Sequence, residues 1–319
     1  MSLKAHLSHL YGRSIIQLLI DLRLNYVLVS SSLILLGFFW NNLEGLNWRY
    51  VALFISVFFA NLFGFVVNDF YDSAYDFKEN NKNTRNLFCS SNTKWLGKLV
   101  LNASLGLSLL FSGIVSPHIF LIIVLFDFLA FSYSAPPIRL RNRLYWDWIF
   151  VFLWKGLIIF AGYFYFYGII FPENPFMLGT LAIVLLASLI NQIDNQIRDF
   201  EVDKITNTNN SAQRLGFHNA LSINRALLML FYTFSFVFCY FLDLYVTMIL
   251  ILLNVSLYLF VNPSKYGHII EFTNIWIVVL FLEHFIAHFS YQQQFLFSFW
   301  IAVMGGIAVR HMKYVNLFN

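Results

Sequence analysis

The chain has 319 residues, of which 59% are hydrophobic, 20% aromatic and only 11% charged. A mean hydropathy of +0.68 leaves too little polar surface for a soluble domain and predicts a polytopic membrane protein. Net charge is a modest +4, and two cysteines, Cys89 and Cys239, provide neither a disulfide framework nor metal-ligand spacing.

Residues 1–20 place Leu3, Leu7 and Leu10 on one helical face and lack a signal peptide's apolar core. An amphipathic helix lying in the membrane interface is expected there. Apolar runs of roughly 17–24 residues cross a bilayer. Ten follow, at 24–40, 48–67, 95–115, 118–134, 146–169, 176–194, 219–242, 244–261, 269–289 and 295–310. With the N-terminus cytoplasmic, every one of the 20 basic residues except Arg49 and Lys155 falls in a cytoplasmic segment. That bias predicts a multi-pass protein of the cytoplasmic membrane with both termini inside. The whole chain, 1–319, reads as one transmembrane domain.

The second span runs into "NDFYDSAYD". If the helix continues, Asn68, Asp72 and Asp76 fall at i, i+4 and i+8, with Asp69 beside them, in an arc of roughly 100°. The sixth span runs into "NQIDNQIRDFEVDK". Continued as helix, it puts Gln192, Gln196, Asp199 and Asp203 within roughly 60° of arc and turns Asp194 and Arg198 the other way. A charge run is usually a solvated loop, but two such stripes extending apolar spans on the same side argue for a site. Oxygen ligands without His or Cys suit a hard cation, Mg²⁺ or alternatively Mn²⁺, which shares its shell with a phosphate substrate.

Cationic complements follow each stripe: Lys78, Lys82 and Arg85 after the first, Lys204 after the second. Between the fourth and fifth spans, "YSAPPIRLRNR" stops its helix at Pro136-Pro137 and then presents Arg139, Arg141 and Arg143. Guanidinium groups grip phosphate oxygens in bidentate fashion. Carboxylates, a divalent cation and arginines together make a site for a diphosphate head with an apolar tail. Arg143 is read as topology alone. Asn61, two turns before Asn68, either lines an acceptor pocket or bonds a neighbouring span. Asp127 and Lys155 sit roughly 9–12 Å deep in the fourth and fifth spans, where they either pair with each other or each face a wet cavity, Lys155 then touching the acceptor.

Together, "NDFYDSAYD", "NQIRDFEVD", "YSAPPIRLR", "SAQRLG" and "RLNY" resemble, in order, the motifs of the UbiA-type intramembrane prenyltransferases, from about Arg23 to Gly216. The resemblance implies an all-α bundle of nine to ten spans around a central cavity, with both acidic motifs on its cytoplasmic side. It implies Mg²⁺-dependent transfer of a prenyl chain from its diphosphate to an acceptor, favoured as an aromatic quinone precursor. By position, Asn68, Asp69, Asp72, Asp76, Gln196, Asp199 and Asp203 would serve the metal, with Asp72, Asp199 and Asp203 catalytic. Arg23, Lys82, Arg85, Arg139, Arg141 and Lys204 would hold the diphosphate; apart from the resemblance, their positions make Asn61 and Lys155 the acceptor-pocket candidates. The implied partners are a prenyl diphosphate, a hydrophobic acceptor and membrane lipids, with no nucleic acid.

Two positions depart from the family pattern. Gln196 stands where the second motif usually has its first acid, and "IRD" after it resembles the dihydroxynaphthoate branch, although that branch's Gly-Lys-Thr stretch is missing. Arg85-Asn86 replaces the usual Arg-Pro. A membrane terpene cyclase, a transferase acting on a non-aromatic lipid, and a cation-coupled transporter are the alternatives. The transporter is disfavoured because the acids lie at one mouth and no internal repeat is visible.

Overall fold

The computed structural model describes residues 21–35, 48–77, 83, 85–168, 175–205 and 208–260. Among these, every regular element is helical: α1 (Leu24–Ser32), α2 (Trp48–Asp76), α3 (Lys94–Val115), α4 (Pro117–Ser134), α5 (Trp146–Tyr167), α6 (Pro175–Arg198), α7 (Phe200–Ile205), α8 (Ser211–Leu215), α9 (Phe217–Phe241) and α10 (Tyr245–Phe260), with one 3-10 turn at Leu140–Asn142. Six of them (α2, α3, α4, α5, α6 and α9) are long and apolar enough to cross a membrane. The chain is an integral membrane protein. The interfacial segment expected at 1–20 and the runs at 269–289 and 295–310 lie outside the described residues.

The described residues group into two compact units, one within 21–34 and 48–141 and the other of Leu35 and those within 142–260. In the first, α2 packs against α1, α3 and α4. Helix α3 makes this possible because the face it buries is small: Gly97, Ser104, Ser108 and Ser112. A Cβ on Gly97 would lie 2.8 Å from the Phe88 ring, which shows how close the loop before α3 comes. The larger side chains Leu99, Leu110 and Ile114 of the same helix stay exposed, as a lipid-facing surface requires. Backbone and hydroxyls knit the unit together: Ser56 Oγ donates to the Ser108 carbonyl at 2.8 Å. Ser108 Oγ donates to Asp127 Oδ2 at 2.7 Å. Asp127, expected to meet Lys155 or a wet cavity, has taken a neutral hydroxyl from α3 instead.

Local signals set the ends of α4. Ser116 Oγ accepts from the Ile119 N–H at 3.2 Å and Pro117 opens the first turn. The helix stops at Ser134, ahead of Pro136-Pro137. The Arg139 N–H then donates to the Ala135 carbonyl at 2.8 Å, folding the arginine segment back on itself.

In the second unit α6 packs against α5 and α9, and α9 against α10. Gly179 on α6 meets Phe238 on α9 so closely that a Cβ would stand 2.0 Å from the ring. Ile183, Ile190 and Ile193 of α6 fill the core with Phe231 of α9. The helix expected through Asp203 is interrupted by a turn at Asp199, between α6 and α7. Helical hydrogen bonds nevertheless continue across it, Asp199 N–H to Asn195 at 3.0 Å and Asp203 N–H to Asp199 at 2.8 Å.

Candidate functional site

Helix α2 runs unbroken to Asp76, so the first stripe stands on one helical face. Its three aspartates are nearly dry, with Asp69 8%, Asp72 7% and Asp76 8% exposed. Stacked carboxylates out of water repel one another unless cations and donors compensate them. Arginines supply that compensation. Arg23 Nη2 lies 2.6 Å from Asp69 Oδ1. Arg141 Nη1 bonds Asp72 Oδ2, and Arg139 Nη2 stands 3.7 Å from Asp72 Oδ1. Arg23 and Arg139 both adopt left-handed backbone, φ 53° and 38°, at roughly 1–2 kcal/mol each for a side-chain-bearing residue. Their guanidinium groups lie over the Phe65 ring at 5.8 Å and the Tyr75 ring at 5.2 Å.

Neutral groups complete the first stripe. Ser134 Oγ donates to Asn68 Oδ1 at 3.1 Å. Asn86 Nδ2 donates to Asp76 Oδ2 and to the Asp69 carbonyl, both at 2.8 Å. Arg85, in the loop after the stripe, has its pKa lowered by burial and by the nearby Arg23 guanidinium, against the opposing pull of Asp69 and Asp76. Lys82 lies outside the described residues.

The unmatched atoms are the informative ones. Nε of Arg23, Arg85 and Arg139 and Oδ1 of Asp72 are buried without a hydrogen-bond partner. Buried donors and acceptors left without a hydrogen bond are expensive. Three guanidinium donors and one carboxylate oxygen are what an oxyanion and a hard cation would satisfy. Among the described residues no three acids come together as a self-sufficient metal cage. A hard cation that shares its shell with phosphate oxygens and water needs fewer protein oxygens than such a cage provides.

The second unit carries the other stripe. Asp199 and Lys204 are exposed and Asp203 is half-buried. Asn210 Nδ2 donates to Asp203 Oδ2 at 2.6 Å. Asp194 and Arg198 pair with each other at 3.0 Å. Gln196 departs from its expected role as a metal oxygen, because both ends of its amide are engaged elsewhere. Oε1 accepts from Trp148 Nε1 at 3.0 Å and from the Ala212 N–H at 3.3 Å. Nε2 donates to Asp147 Oδ2 at 2.7 Å. Asp147, fully buried, also accepts from the Trp148 N–H at 3.0 Å, the Ser211 N–H at 2.9 Å and the Ser211 hydroxyl. This closed network ties the starts of α5 and α8 to α6.

Of the two acceptor candidates, Asn61 donates from Nδ2 to Ser31 Oγ at 3.1 Å and to the Val57 carbonyl at 2.9 Å. It is thus a bond between spans, while its Oδ1 stays buried and unpartnered. Lys155 lies on α5 with Nζ 5.2 Å from the Trp154 ring. Sequence reasoning missed Asn86, Asn210, Asp147 and Ser211. Asn86 had a signal, since it replaces a proline of the family pattern. Asn210 had the signal of an N-cap residue before "SAQRLG".

The model of the UbiA prenyltransferase family matches residues 30–278. The chain belongs to that family and is a prenyltransferase by membership. Among solved structures, it is similar to a UbiA homolog from Archaeoglobus fulgidus bound to GPP and Mg²⁺, with 19% identity over 92% of this chain and 99% of that one and a TM-score of 0.61. An apo UbiA homolog from Aeropyrum pernix K1 matches at 13% identity over 83% and 98%, TM-score 0.64. A digeranylgeranylglyceryl phosphate synthase matches at 19% identity over 85% and 96%, TM-score 0.58. These likenesses establish the helical fold. None of the curated proteins matches the chain in sequence.

Proposed function

We propose that this chain transfers a prenyl group from its diphosphate to an electron-rich acceptor within the membrane, with Mg²⁺ as the working cation and Mn²⁺ as its substitute. The observation that carries this reading is the set of buried atoms around the first stripe that lack a hydrogen-bond partner, Nε of Arg23, Arg85 and Arg139 and Oδ1 of Asp72, the last held only by the 3.7 Å ion pair with Arg139. The Archaeoglobus fulgidus homolog bound to GPP and Mg²⁺ supports it by analogy of fold. Asn68, Asp69, Asp72 and Asp76 are the cation ligands proposed for the first stripe, and Asp199 and Asp203 those proposed for the second. Gln196 is left out because its amide is already engaged.

When bound, the cation neutralises charge on the departing diphosphate. The chain's own residues do the rest. Arg23, Arg85, Arg139 and Arg141, with Lys82 and Lys204, bind and orient the diphosphate, which leaves with the electron pair of the allylic C–O bond. Apolar spans exclude water from the carbocation so formed. The acceptor then donates an electron pair to the allylic carbon and loses a proton. Asn61, through its unpartnered Oδ1, and Lys155 are the acceptor-side candidates. The acids and both termini are assigned to the cytoplasmic side of the cytoplasmic membrane, as the basic-residue bias requires.

For the acceptor we favour an aromatic quinone precursor, on the likeness of "NQIRD" to the dihydroxynaphthoate branch. The second reading is a non-aromatic lipid acceptor, favoured by the similarity to the digeranylgeranylglyceryl phosphate synthase. Purified protein in proteoliposomes, given labelled prenyl diphosphates, Mg²⁺ and either acceptor class, tests both. A prenylated dihydroxynaphthoate supports the first, and a prenylated glyceryl lipid supports the second. Failure to release diphosphate from any prenyl diphosphate would overturn the enzyme reading altogether.

A further inference from the structure

Both acidic stripes end on an aspartate held by an asparagine from the segment that follows. We infer that Asn86 and Asn210 are positioning residues, each fixing the last carboxylate of its stripe, Asp76 and Asp203. The inference rests on the reading of the stripes as cation ligands.

The two arrangements are built alike. Asn86 is 2% exposed and Asn210 5% exposed. Each uses its amide oxygen to close a local backbone feature. Asn86 Oδ1 accepts from the Phe88 N–H at 2.9 Å, and Asn210 Oδ1 accepts from the Gln213 N–H at 2.9 Å, as the N-cap of α8. That bond locks the side chain, and the NH₂ group reaches back to the acid. Asn86 Nδ2 meets Asp76 Oδ2 at 2.8 Å, across ten residues of chain. Asn210 Nδ2 meets Asp203 Oδ2 at 2.6 Å, across seven. The second hydrogen of Asn86 goes to the Asp69 carbonyl, so the same amide also pins the loop to α2.

The chemistry explains why an amide stands at both places. A lysine or arginine would fix the carboxylate too, but its charge would compete with the cation for the same oxygens. A neutral N–H orients the carboxylate and leaves its charge intact, which is how donors behind metal ligands commonly work. Proline, which the family resemblance puts at position 86, has no side-chain donor and could not anchor Asp76.

Serine discriminates positioning from plain structure. In Asn86→Ser and Asn210→Ser the hydroxyl oxygen can still close the turn or cap the helix. The shorter side chain no longer reaches the carboxylate. Full-length protein in detergent with inorganic diphosphate would be titrated with Mn²⁺, following free Mn²⁺ by electron paramagnetic resonance and the Mn²⁺-induced rise in melting temperature. The expected result is a Mn²⁺ midpoint raised about tenfold in each variant, whatever metal-free melting temperature the lost hydrogen bonds leave. A lowered metal-free melting temperature with an unchanged midpoint would make the asparagines merely structural and overturn the inference. A wild-type protein that takes up no Mn²⁺ would overturn the cation reading itself and this inference with it, whereas Mn²⁺ uptake unaltered in both variants sinks this inference alone. Each variant reports on its own stripe, so misfolding of one leaves the other decisive.

Discussion

Asp147 and Gln196, 49 positions apart in sequence, are joined by a 2.7 Å hydrogen bond from the amide Nε2 to the carboxylate Oδ2 in a fully buried setting. Motif position makes Gln196 a substituted metal ligand, and a carboxylate restored there would be a repair. The observed bond reverses that expectation. Gln196→Asp would remove the donor and set a second acid near Asp147, and breaking a buried charged network of this kind costs about 3–5 kcal/mol. We expect a marked loss of thermal stability in detergent. Reversing the polarity in Asp147→Asn/Gln196→Glu should recover part of it. A Gln196→Asp protein as stable as wild type would show that the network is incidental.

The two stripes should be separable from the ion pair beside them. Asp72→Ala and Asp199→Ala are each expected to lower kcat/KM by more than about a hundredfold, beyond what outer-shell groups usually contribute. Asp194→Ala removes only the 3.0 Å pair with Arg198 and should leave turnover within a few-fold. Diphosphate release assays, read beside size-exclusion profiles that verify folding, decide this. An essential Asp194 with a dispensable Asp199 would refute the assignment of the second stripe.

Cys89 offers a pH readout outside the spans. Burial, reinforced by the negative charge of Asp76 and Asp69, pushes its thiol from 9.0 up to about 11. The thiolate is the reactive form. At pH 8 its fraction should be about a hundredfold below that of an unperturbed cysteine, since two pKa units separate them. Alkylation by iodoacetamide should be slow and should accelerate with pH until about 11. Rapid labelling at neutral pH would contradict the buried loop.

The contact of α6 with α9 is testable through one atom. A Cβ at Gly179 would stand 2.0 Å from the Phe238 ring, so Gly179→Ala forces a shift expected to cost about 1–3 kcal/mol. Adding Phe238→Leu should relieve it. Equal melting temperatures for wild type and Gly179→Ala would mean the ring moves aside freely.

Much of this was legible in the sequence because helical period and hydropathy are local properties. The run to Asp76, the stop at Pro136-Pro137 and the cap at Ser116 are each written in a few adjacent residues. What a side chain touches across the fold is not written locally. Periodicity puts Asn61 on the face of Asn68 but does not reveal that Ser31 stands opposite it. The arginines after the proline pair are visible as candidates, yet their convergence on Asp72 depends on a backward fold of the loop. The turn at Asp199 carries no glycine or proline to announce it. Asn86 stands out in the sequence only as a departure from the family's Arg-Pro, and Asn210 not at all, because an asparagine in a loop is ordinarily a turn residue.

The arginines at Asp69 and Asp72 bear on how the site turns over. Asp72 is already bonded to Arg141, and Asp69 to Arg23. On the proposed reaction, an arriving diphosphate and its cation would therefore not create new ion pairs so much as trade partners with existing ones. Affinity would then be a difference between two sets of similar bonds, and modest for so highly charged a ligand. The same trade would run in reverse after transfer: each aspartate would reclaim its arginine as the freed diphosphate departs, so the protein's own charges would assist product release.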